Sequence, residues 1–169
     1  MKYDKAFLTG CDYRYEWLLP WFFENYKKYN NTPLIFADFG IKNKDIIRDN
    51  VHAIINLTNI QEKGWFKKPK AMLSCPSEKT VWLDTDCQVL SNIDSIFELL
   101  KPNKLNMVED KPWTKRRNEY GAWYNSGVVG FIGKPNILKQ WSKWILESKE
   151  IGDQEVLYER LDQLQKLTY

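Results

Sequence analysis

In the stretch Thr80-Val81-Trp82-Leu83-Asp84-Thr85-Asp86-Cys87 an apolar run ends in two carboxylates one residue apart. The run from Val81 to Leu83 reads as a strand buried on both faces. If the backbone stays extended, Asp84 and Asp86 point to the same side, where two anions repel unless a cation or hydrogen-bond donors compensate them. Hard carboxylate oxygens suit magnesium and manganese, which makes a divalent ion an economical partner for the pair. The plainer alternative is that one Asp caps a turn while the other is solvated, and a bare D-x-D is compatible with both.

Four further stretches carry residue types able to do chemistry. Leu8-Thr9-Gly10-Cys11-Asp12-Tyr13 follows the first apolar run, and a glycine there lets a backbone approach a ligand closely. Lys67, Lys68 and Lys70 cluster around Pro69, where an ammonium could stabilise a leaving anion; Lys70 is favoured because it lies inside the helix start. Asn125-Ser126-Gly127 reads as a tight turn offering a side-chain amide and a hydroxyl. Gly152-Asp153-Gln154 opens an amphipathic segment, where Asp153 is a natural helix N-cap. The charged run from Lys111 to Tyr120 holds Trp113, Lys115, Arg116 and Arg117, which suits a lid or acceptor surface as well as a plain solvated loop.

The elements that must position these residues follow from periodicity. Short apolar runs at Ala6–Thr9, Pro33–Ala37, Ala53–Leu57 and Val81–Leu83 read as strands. Helical patterns lie between them: Pro20 to Asn30 with Trp21, Phe22 and Tyr26 inward, Lys42 to Asp49, and Pro69 to Leu73. Later come a helix with Ile96, Phe97, Leu99 and Leu100 on its apolar side and a strand from Lys104 to Val108. Glu109 to Gly121 reads as the longest loop, and Ala122–Tyr124 and Val128–Ile132 as strand pieces around the Asn-Ser-Gly turn. A helix over Pro135–Ser148 turns Trp141, Trp144 and Ile145 inward, and a last one carries Val156, Leu157, Leu161 and Leu164. Strands alternating with helices predict one α/β domain over residues 1–169, with a mostly parallel, Rossmann-like sheet flanked by helices. Ligands then sit beyond the carboxyl ends of the strands, where the Asp pair lies.

The chain's 169 residues suffice for one sizeable core, and 43% hydrophobic with 28% charged residues is ordinary for a globular protein. A net charge of +3 argues against nucleic-acid binding yet favours a small anionic ligand. Eight Trp supply flat amphipathic surfaces. Cys11, Cys75 and Cys87 are widely spaced and read as reduced cysteines in a cytoplasmic protein, and the single His52 cannot assemble a zinc site. The start at Met1 shows no signal peptide, and no apolar run reaches the roughly 20 residues of a membrane span.

Taken in order, these motifs resemble the nucleotide-sugar-binding half of GT-A-fold glycosyltransferases. The resemblance is greatest to the retaining family 8 group that includes glycogenin and the bacterial lipopolysaccharide glycosyltransferases. It implies that Thr9, Gly10 and Asp12 line a uridine pocket, with Tyr13 or Tyr15 stacking on the base. Lys70 would face the donor diphosphate. Asp84, Thr85 and Asp86 would hold the donor with Mn2+ or Mg2+, the two carboxylates being the metal ligands. Asn125 and Ser126 would meet donor hydroxyls, and Asp153 and Gln154 would face the sugar. The implied reaction moves a hexose from a nucleotide diphosphate sugar, UDP-glucose or UDP-galactose, to an unknown acceptor, with donor hydrolysis as a side reaction.

Members of that family continue well past the Asp-Gln helix and use a late histidine as a further metal ligand, whereas here His52 lies early and the sequence stops at Tyr169. The resemblance therefore predicts weak metal binding without nucleotide. It also leaves three readings: a minimal enzyme, one completed by homo-oligomerisation, or a non-catalytic nucleotide-sugar binder. A nucleotidyltransferase is disfavoured because no early glycine-rich phosphate loop is present.

Overall fold

The computed structural model describes residues 2–116, 122–149 and 152–161. Six strands form one sheet: β1 (Tyr3–Cys11), β2 (Leu34–Asp38), β3 (Ala53–Asn56), β4 (Ser77–Leu83), β5 (Asn106–Glu109) and β6 (Tyr124–Ile132). Their order across the sheet is β3-β2-β1-β4-β6-β5. The first four run parallel, whereas β6 is antiparallel to both β4 and β5. The carboxyl ends of β1, β4 and β5 and the start of β6 thus meet at one sheet edge.

Adjacent residues of the central strands feed opposite faces. Leu8, Ile35, Trp82 and Val129 pack in one core, and Phe7, Phe36 and Val81 in the other. This two-sided burial accounts for the unbroken apolar runs. Helices α1 (Leu19–Tyr29) and α2 (Asp45–Arg48) supply Phe22 and Ile47 to the second core. On the first face lie α3 (Lys68–Ser74), α5 (Asn136–Glu147) and α6 (Asp153–Arg160), bringing Met72, Trp141 and Leu157. Removing a fully buried ring such as Trp141 costs about 3–5 kcal/mol. Its Nε1 also donates to the Asp153 carbonyl at 3.1 Å, so the same side chain fixes the start of α6.

Several local expectations are corrected. Trp21 stands 37% exposed because Leu19, Phe22, Phe23 and Tyr26 already fill the inner stripe of α1. The Leu99 segment is a short 3-10 turn, Asp94–Glu98, whose buried residue is Phe97; Leu99 lies 71% exposed beyond it. The strand pieces around Asn125 are one strand, since β6 runs unbroken through the Asn-Ser-Gly. Part of the supposed loop is a helix, α4 (Lys111–Arg116). Arg117, Tyr120 and Leu164 lie outside the described residues. No helix among the described residues is long and apolar enough to cross a membrane.

Candidate functional site

The converging strand ends open on a cleft of about 680 Å³. Gly10 and Asp12 follow from β1, Asp84 to Asp86 from β4, and Asp110 from β5. Asn125 and Ser126 begin β6, and Asp153 and Gln154 begin α6.

Lys68 is the hub. It opens α3 ahead of Pro69, a favoured first-turn residue, and is only 3% exposed. Its Nζ stands 2.9 Å from Asp84 Oδ1, 3.2 Å from Asp84 Oδ2 and 3.2 Å from Asp153 Oδ2. It donates to the Ser126 carbonyl at 3.1 Å and to Ser126 Oγ at 3.3 Å, and lies 5.6 Å from the Trp82 ring centre. Burial alone would lower the Lys68 pKa, but Asp153 and Asp84 outweigh it and hold the ammonium above its ordinary value. Burial likewise lifts the Asp84 carboxyl above its ordinary value, against the pull of Lys68 and of the Trp82 Nε1–H, which donates to Oδ1 at 2.6 Å. Two carboxyl groups thus face one ammonium.

The Asp pair is not extended. β4 ends at Leu83, and the Cys87 N–H bonds the Asp84 carbonyl at 3.0 Å, closing a turn. Asp84 points at Lys68, Thr85 is buried, and Asp86 stands exposed at the cleft wall. Among the described residues no three His, Cys, Asp or Glu side chains form a group able to hold a metal. Asp84 and Asp86 still offer hard carboxylate oxygens, the donor type a divalent ion takes. Gly127 carries no side chain beside Asp84; a Cβ there would meet Asn125 Oδ1 at 2.9 Å and Asp84 Oδ2 at 3.4 Å.

Gln154 links the far wall. Its Oε1 accepts the Ser126 N–H at 3.1 Å, and its Nε2 lies 3.5 Å from Asp110 Oδ2. The same Asp110 oxygen is 3.4 Å from Asn125 Nδ2. Asp153 is the first helical residue; Gly152 takes the N-cap place, which frees the Asp153 carboxylate for Lys68. Asp12 accepts the Arg14 N–H at 2.9 Å, and exposed rings of Tyr15, Trp17 and Trp65 flank it along the cleft.

Of the residues expected from sequence, Gly10, Asp12, Asp84, Thr85, Asp86, Asn125, Ser126, Asp153 and Gln154 line this cleft. Three do not. Lys70 is exposed two residues along α3 and is not in the wall, whereas Lys68 is. Thr9 is wholly buried in β1 and forms no part of the wall, and its Oγ1 has no hydrogen-bond partner among the described residues. Tyr13 lies outside the wall with Lys42 Nζ 4.7 Å from its ring centre, while Tyr15 faces the cleft. Gly10 has a reason besides ligand access: a Cβ would meet the Ala37 carbonyl oxygen at 2.4 Å. Asp110 went unread in the sequence, although it stands just past a strand end as Asp84 does.

No protein-family model matches the chain, and no curated protein matches it in sequence. Solved structures do. The apo form of the glycosyltransferase GlyE from Streptococcus pneumoniae TIGR4 matches with TM-score 0.66 and 19% identity, over 91% of this chain and 42% of that one. The galactosyltransferase LgtC, solved with donor and acceptor sugar analogues, matches with TM-score 0.61 and 18% identity over 90% of this chain and 69% of its own. The bifunctional glycosyltransferase WbbM matches with TM-score 0.59 and 12% identity over 96% of this chain and 39% of its own. This chain spans about two fifths of GlyE and WbbM. At these identities the likeness establishes the fold: a GT-A-like α/β domain with a mostly parallel mixed sheet flanked by helices.

Proposed function

We propose, from a fold shared with solved glycosyltransferases, that this chain binds a nucleotide diphosphate sugar and transfers its hexose to an acceptor. The observation that carries the reading is Lys68, a buried ammonium set between Asp84 and Asp153 at the carboxyl ends of the strands. A fixed cation in a partly dry cleft stabilises charge developing on a leaving diphosphate far better than one in water. Gln154, Asp110, Asn125 and Ser126, linked to one another along the cleft wall, are polar groups of the kind that meet sugar hydroxyls. The aromatic flank at Tyr15, Trp17 and Trp65 suits a nucleobase, and the motif resemblance favours uridine, hence UDP-glucose or UDP-galactose. Asp84 and Asp86 would hold Mn2+ or Mg2+, with ligand oxygens and water completing the shell. Such an ion supplies Lewis-acid assistance to the departing diphosphate.

The Lys68 ammonium already seated on Asp84 at 2.9 Å favours a second reading, a non-catalytic nucleotide-sugar binder. Incubating purified protein with Mn2+ and a panel of nucleotide sugars, while measuring nucleotide diphosphate release, separates the two. Transferase chemistry predicts release from one donor class, reduced at least a hundredfold in Asp86→Ala. Calorimetric donor binding with no release across donors and acceptors would instead establish the binder.

A further inference from the structure

We infer that Lys68 is the resident cation of the D-x-D site, holding Asp84 against a divalent ion until an anionic ligand draws the ammonium away. This rests on the donor-site function proposed above. Nζ reaches both Asp84 oxygens, at 2.9 and 3.2 Å, so an ion approaching that carboxylate meets a positive charge already in contact with it. The lysine is almost wholly buried. Beside Oδ2, Gly127 adds no side chain, and the place a Cβ would take is faced by two oxygens, Asn125 Oδ1 at 2.9 Å and Asp84 Oδ2 at 3.4 Å.

The ammonium also has somewhere to go. Asp153 Oδ2 lies 3.2 Å away on the other side and already shares the ammonium with Asp84, so it keeps its hold on Lys68 when Asp84 lets go. The Ser126 carbonyl and hydroxyl stay within reach at 3.1 and 3.3 Å. Release of Asp84 therefore strands neither partner. The affinity of the ligand-free chain for Mn2+ is thus set by Lys68 as well as by the number of carboxylates. A bound diphosphate raises it by attracting Lys68 and by adding oxygen ligands.

The test measures binding of Mn2+ alone to full-length protein, from the EPR signal of the free ion. Lys68→Met should tighten Mn2+ binding at least tenfold. Lys68→Gln, which keeps a donor for Ser126, should move it the same way. Lys70→Met makes the same charge change on the exposed side of α3 and should stay within twofold of wild type. Asp153→Asn should weaken binding severalfold, because Lys68 then has only one carboxylate to hold. Circular dichroism reports folding, and Asp153→Asn carries the test if both Lys68 variants fail to fold. Lys68 variants indistinguishable from Lys70→Met would overturn the inference. If UDP still recruits Mn2+ to the wild type in that case, the donor-site function survives. If UDP recruits none and Asp86→Ala changes nothing, the donor-site function falls as well.

Discussion

Lys67 and Lys68 are neighbours with opposite tasks. Lys67 Nζ donates to the carbonyls of Phe39, Leu57 and Thr58 at 3.1, 2.6 and 3.4 Å, tying the exits of β2 and β3 together. Lys67→Met strands these acceptors and should cost about 3 kcal/mol in urea unfolding, while Lys70→Met stays within about 0.5 kcal/mol. Which of three close lysines enters the cleft was not legible in the sequence. A one-residue error in where a helix begins turns every side chain by about 100°, and here a 3-10 turn over Gly64–Lys67 sets that phase. The carboxylates were legible because charges at the end of an apolar run have few structural uses. Asp110 carried the same signal more faintly, since β5 is short and its residues are only partly buried or exposed.

At the scale of elements, close approach of the chain to itself decides what can change. A Cβ on Gly10 would meet backbone, the Ala37 carbonyl oxygen, whereas one on Gly130 would meet the end of the Leu100 side chain at 2.3 Å. A side-chain end can rotate away and a paired strand cannot. Gly10→Ala should therefore destabilise by about 2–3 kcal/mol and Gly130→Ala by less than about 1.5 kcal/mol, read from denaturation midpoints. The parallel core strands were legible because burial on both faces demands unbroken apolar runs. The continuity of β6 was not, because Asn125-Ser126-Gly127 has turn composition, and within the strand Asn125 Oδ1 still accepts the Gly127 N–H at 2.8 Å. Helix α4 was hidden for a different reason: none of its residues is buried, so it has no apolar stripe to read.

For the molecule as a whole, alkaline pH is the sensitive direction. Burial, then Asp12, Glu16 and Asp38, push the Cys11 thiol from its ordinary 9.0 to about 12. The folded value exceeds the unfolded one, so the stabilisation is complete below pH 9 and is lost as pH rises towards 12. Over that window this thiol steepens the fall in stability by up to about 1.4 kcal/mol per pH unit. Cys11→Ala should flatten the fall by that amount in urea midpoints taken from pH 8 to 11. The alternation of strands and helices made the domain's class legible, whereas the reversed β6 was settled by tertiary pairing alone. That reversal has a consequence for how such a site can diversify. Because β6 runs against β4, the chain leaves the cleft at Asp110 and re-enters it at Trp123, and the Asp110 N–H clasps the Trp123 carbonyl at 2.7 Å. The excursion is closed at its neck, and α4 is held there as well: the Trp113 ring stacks on Trp123 at 6.0 Å, and Thr114 Oγ1 accepts the Trp123 N–H at 3.0 Å. Substitutions at Trp113 or Thr114 therefore reach the cleft wall through Trp123, which lets a residue outside the strands retune the site on a fixed frame.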